Sequence, residues 1–146
     1  MRFPVTLAAV AAVWGGYQVY SQHHDARVLR DVMASADANG FLDVPPPIDQ
    51  NADTVYVVAA QNCPHAAAQQ ADRLAKQLGD KGVSVVRVNQ VGYQPQQIDR
   101  AMMNRLNVVM NGPLPLVFIN GRVASNPEID RVMAEYERTA STRTSP

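Results

Sequence analysis

One junction constrains the fold more than any other stretch of the chain. Thr54 to Ala60 is a continuous apolar run rich in β-branched residues, and it stops at Gln61-Asn62-Cys63-Pro64. From Pro64 to Leu78 the period changes: Ala67, Ala71, Leu74, Ala75 and Leu78 recur at helical spacing. An unbroken apolar run suits a strand covered on both faces, and recurrence every three or four residues suits an amphipathic helix. A buried strand that feeds directly into a helix requires a layered α/β domain. Pro64 has no amide hydrogen and a fixed φ, so it fits a first helical turn and makes Cys63 the expected N-cap.

The chain beyond this corner keeps alternating. Gly79-Asp80-Lys81-Gly82 stops the helix, and Val83 to Asn89 reads as a second strand. Pro95 suits the first position of the next helix, whose apolar face is Ile98, Ala101, Met102 and Leu106. Leu116 to Asn120 is a third strand. Asn120-Gly121 is a strong hairpin signal, so Arg122 to Ala124 is expected to return as an antiparallel edge strand. Asn126-Pro127-Glu128 then opens a final helix with Ile129, Val132, Met133 and Tyr136 on one face. The order predicted is β-α-β-α-β-β-α with a mixed four-stranded sheet, its parallel pair joined by a right-handed crossover.

Upstream lies a different kind of sequence. Met1 to Tyr20 carries one cation, Arg2, and then a largely apolar run from Phe3 to Tyr20. Such a segment reads as a signal anchor or a cleaved signal peptide. It is slightly shorter than the roughly 20 residues that span a bilayer. With Arg2 the only flanking cation, a single-pass inner-membrane protein is expected, its body in the periplasm, or a periplasmic protein if the signal is cut. Asp25 to Ala38 places Val28, Leu29, Val32, Met33 and Ala36 on one helical face, and Asn39-Gly40 ends that helix. His23 and His24 are adjacent, diverge by about 100° on a helix and cannot share a metal ion. Pro45-Pro46-Pro47 is a stiff extended spacer. The divisions expected are residues 1–22 as signal or anchor, 23–40 as amphipathic helix and 41–51 as Pro-rich linker. Residues 52–138 form the domain, and 139–146 a disordered tail.

Composition excludes more than it identifies. The 146 residues hold 13 basic and 13 acidic side chains, scattered rather than clustered, so no basic stripe invites nucleic acid. A single cysteine rules out any internal disulfide. Cys63 and His65 fall short of the three or four ligands of a stable metal site, and no cofactor motif is present.

Within this order, Asn62-Cys63-Pro64-His65-Ala66 resembles the Cys-x-x-Cys corner of thioredoxin-like oxidoreductases, and Cys-Pro-His matches the start of the Cys-Pro-His-Cys motif of the periplasmic disulfide oxidases. Leu114-Pro115 followed by Leu116 to Arg122 is similar to the family's proline, strand and hairpin segment. The resemblance covers roughly residues 53 to 138 and implies a minimal thioredoxin-like fold. It also implies that Pro115 is a cis-proline facing Cys63.

Ala66 stands where the family has its second cysteine. Cycling between dithiol and internal disulfide is therefore impossible, and monothiol chemistry through mixed disulfides is what remains. As N-cap, Cys63 would face the free amides and the positive helix end, which lower a thiol pKa, with His65, if protonated, acting in the same direction. The expectation is a membrane-tethered or exported monothiol oxidoreductase. Its candidate catalytic residues are Cys63 and His65. Pro64, Leu114 and Pro115 line the face for a protein partner, and residues 3–20 meet the membrane. The alternative is a redox-silent thioredoxin-fold binding or assembly module of a cell-envelope complex.

Overall fold

The computed structural model describes residues 26–60 and 65–144, and the chain divides into two compact units, Met1–Ala34 and Ser35–Pro146. In the first unit residues 26–34 form a helix, α1, with Leu29 and Met33 about half exposed. The helix expected over residues 25–38 thus stops at residue 34. Asp37 is the reason: its carboxylate accepts the amides of Asn39 (2.9 Å) and Phe41 (2.8 Å) and holds a tight turn. Gly40 completes that turn at φ +82°.

The second unit runs β1 (Leu42–Asp43), β2 (Thr54–Val58), α2 (Ala66–Asp80), β3 (Ser84–Val88), a single 3-10 turn (Pro95–Gln97), α3 (Arg100–Met110), β4 (Leu116–Ile119), β5 (Arg122–Ser125) and α4 (Ile129–Thr144). The sheet order is β1-β5-β4-β2-β3, with β2 and β3 parallel and every other pair antiparallel. Side chains alternate across it. Val55, Val57, Ala59, Val117 and Ile119 join Ala71, Leu74 and Leu78 of α2 and Val132 of α4 in one core. Their neighbours Tyr56, Val58, Leu116, Phe118 and Val123 are buried on the other face. Here α3 packs on β5 and buries Leu106 and Val109. The Asn120-Gly121 hairpin closes on two residues with φ +48° and +77°, which the mirror-image turn requires.

Three expectations need correcting. The sheet has five strands, not four. Leu42 and Asp43 pair with Val123 and Arg122, so β5 lies inside the sheet and β1 forms the edge. Phe41, Leu42 and Val44 are buried; an apolar group of this size must leave water, and the prolines begin only after it.

The helix starts also move. α2 begins at Ala66 with His65 as N-cap. α3 begins at Arg100 because the Asp99 carboxylate accepts the Met102 amide (2.7 Å), while Pro95 opens only the 3-10 turn. α4 takes its first bonds at the Glu128 carbonyl and continues to Thr144, through the tail expected to be disordered.

The third correction concerns the membrane. No helix among the described residues is long and apolar enough to cross one, and the segment expected to span, residues 3–20, lies outside the described residues. Among the described residues, the anchor helix, the membrane contact and the single-pass inner-membrane location have no structural element behind them and are set aside.

Candidate binding face

Strand register brings the candidate residues together. Val58 of β2 faces Leu116 of β4 on one side and Val88 of β3 on the other, and Leu116 faces Ser125 of β5. One end of the sheet therefore carries Ala59, Asn89, Pro115 and Asn126, and the chain enters α2 there. His65, Leu114 and Pro115 all belong to this end. Cys63 and Pro64 lie outside the described residues.

His65 is extended (φ −67°, ψ 146°), exposed, and its side chain caps nothing. Its carbonyl accepts the amides of Ala68 (3.1 Å) and Gln69 (3.2 Å). The helix start is thus His65, two positions after Cys63. The N-cap is therefore His65 rather than the expected Cys63, which itself lies outside the described residues. With the tether also set aside, the membrane-tethered oxidoreductase reading is not sustained.

The loop before β4 is tightly held. The Leu114–Pro115 peptide bond is cis, as the resemblance implies. Pro115 is fully buried, whereas Leu114 is 39% exposed. The Pro115 carbonyl accepts the Asn126 amide at 2.7 Å, and the Pro113 carbonyl accepts the Ser125 hydroxyl at 2.6 Å. Gly112 makes room for the second bond: a Cβ there would collide with the Ser125 hydroxyl. Asn126, at φ +47°, also accepts Gln70 Nε2 of α2 through its side chain (2.6 Å). Its expected task as a helix cap is replaced by joining the loop, the sheet end and α2.

Two further residues carry no local sequence signal. Arg87 of β3 donates from Nη1 to the carbonyls of Val57 (3.0 Å) and Ala59 (3.3 Å), and from Nε to Asp72 (2.9 Å). It clamps the last turn of β2 before the chain enters residues 61–64. Tyr93, in the segment that leaves β3, has its hydroxyl buried without a partner among the described residues, and burial pushes that hydroxyl well above its ordinary value of 10. No cluster among the described residues could hold a metal ion.

Charge gathers at a different place. Arg122 donates to Asp43 Oδ1 (2.8 Å) and to the Phe41 carbonyl (3.0 Å). It also approaches Glu135 Oε1 (2.8 Å) and Asp37 Oδ2 (3.0 Å) as charge contacts without hydrogen-bond direction. Glu135 is fully buried and also meets Arg138 and Asn39. Burial raises the Asp37 carboxyl, but the Phe41 amide, Glu135, Arg122 and the Asn39 amide together outweigh it and leave the group below its ordinary 3.8. The Arg138 guanidinium is held protonated chiefly by its hydrogen bond to Glu135. This cluster fastens the 37–43 strap to β5 and α4.

No protein-family model, no curated protein and no solved structure matches this chain.

Proposed function

We propose that the second unit is a thioredoxin-like domain working as a protein-binding module, with no thiol–disulfide turnover. One observation carries the reading: an exposed leucine, Leu114, sits on a loop fixed through both Pro113 and Pro115, at the sheet end where α2 begins. A rigid loop that presents an apolar side chain suits recognition, because little entropy is lost when a partner binds. The partner suggested is an extended protein segment with an apolar side chain to cover Leu114. Ala66 in place of a second thiol, and a helix start at His65 rather than Cys63, support a non-redox role.

A phage-displayed peptide library panned on the immobilised full chain tests this. Enriched apolar peptides should lose binding to Leu114→Glu and keep it with Cys63→Ser. No enrichment, or loss of binding in Cys63→Ser alone, would sink the proposal.

A further inference from the structure

Helix α3 carries a second exposed surface, on a face separate from the Leu106 and Val109 side that packs inward. Arg100, Met103, Asn107 and Met110 follow the alternating three- and four-residue spacing of a helix–helix seam. All four are exposed, Met103 at 46% and Met110 at 48%. No acidic side chain interrupts the seam, and its central position is an asparagine, the residue that sets register in such contacts.

The charges on α3 indicate what covers the seam. Arg100 stands in the first turn, at the positive end of its own helix, where a cation is unfavourable. The last turn has no basic residue to meet the negative end. A copy of α3 lying antiparallel would bring each Arg100 to the other helix's C-terminal end, which has no basic residue of its own. It sets Met103 of one chain against Met110 of the other and the two Asn107 side chains near the centre. Each Arg100 then lies beside the other helix's carbonyl end, just past Asn111. A parallel copy would bring the two Arg100 side chains together.

We propose that the occupant of this face is a second copy of the chain, joined through antiparallel α3 helices in a two-fold dimer. An 11-residue helix is about 16 Å long. A contact of that length falls short of the roughly 1,200 Å² that stable interfaces bury, so the dimer is weak and concentration-dependent. The dimer does not rest on the binding role given to Leu114.

Sedimentation equilibrium of the full chain in a Cys63→Ser background, over a concentration series, tests the proposal. The mean mass should climb towards twice that of the chain. Met103→Glu and Met110→Glu should each weaken association about tenfold or more, with unchanged circular dichroism. In the same background, the double variant Met103→Cys, Met110→Cys should oxidise to crosslinks joining position 103 of one copy to 110 of the other, read by peptide mapping. A monomer at every concentration, self-association untouched by both glutamates, or crosslinks joining 103 to 103 would each overturn it.

Discussion

At the β1 side of the sheet, Arg122 draws Asp37, Asp43 and Glu135 around one guanidinium. At the end where β4 begins, the Pro113–Pro115 loop is held by two neutral hydrogen bonds to backbone carbonyls and leaves Leu114 in solvent. The first region uses desolvated charge to fasten a strap whose strand pairing is only two residues long. The second holds its backbone rigidly and leaves one side chain uncommitted. Stability concentrates where the chain must be tied down, and recognition becomes possible where a side chain can change without cost to the fold.

The sharpest test of this contrast removes Arg122. Replacing it by leucine leaves Glu135 buried with only Arg138 as cationic partner, and removing one member of a buried pair typically costs about 3–5 kcal/mol. Because Arg138 remains, the lower end is expected in urea unfolding. Combining Arg122→Leu with Glu135→Leu should recover much of the loss, since Glu135, the fully buried charge, is then no longer stranded. If the double variant is no more stable than Arg122→Leu alone, the hub is held by packing and the comparison fails.

Arg87 ties the candidate binding end through the Val57 and Ala59 carbonyls. Arg87→Met keeps the aliphatic stem but withdraws the donor from the Val57 and Ala59 carbonyls, a loss of about 1–3 kcal/mol for buried groups left unpaired. Amide exchange should accelerate at β2 and leave β5 unchanged. Uniform acceleration over the sheet would mean that Arg87 supports the whole fold rather than this corner.

These two arginines also show where reading from sequence stops. The Val55 to Ala60 run, the Leu116 strand and the Asn120-Gly121 hairpin are local patterns, and each forms its element in place. β1 is two residues long, below any detectable period. Its partners Arg122 and Val123 lie some 80 positions away, so the Arg122–Asp43 bond spans 79 residues. The polar, Ser/Thr-rich composition from Thr139 onward predicts a disordered tail. Here the Thr139 hydroxyl bonds to the Glu135 carbonyl one turn back and accepts Asn120 Nδ2, so α4 continues. At the candidate face, Leu114 and Pro115 were legible because the resemblance rests on a contiguous motif. Gly112, Ser125 and Asn126 were not, since their roles arise from contacts between β4, β5 and α2.

Acid offers a subtler probe of the charged side. The folded Asp37 carboxyl lies below its ordinary 3.8, so its contribution is complete above that value and is lost as pH falls through the folded one. Thermal midpoints followed downward from pH 5 should fall less steeply in Asp37→Asn than in the parent, and the two should converge in strong acid. A parent curve parallel to that of Asp37→Asn would remove Asp37 from the latch.

The smallest stability change belongs to Leu114. Its side chain is exposed and its loop is held through the neighbouring carbonyls, so Leu114→Ala is expected to change unfolding free energy by no more than about 0.5 kcal/mol. The same substitution should weaken an enriched apolar peptide about tenfold, because an anchor side chain in a binding face can be worth more than 1 kcal/mol. Calorimetric titration and urea unfolding on one preparation separate the two effects. A large stability loss would show that Leu114 belongs to the core, and the division between a charge-fastened side and a recognition end would then dissolve. A stable variant with unimpaired peptide binding would leave the fixed loop intact and move the recognition surface elsewhere on the domain.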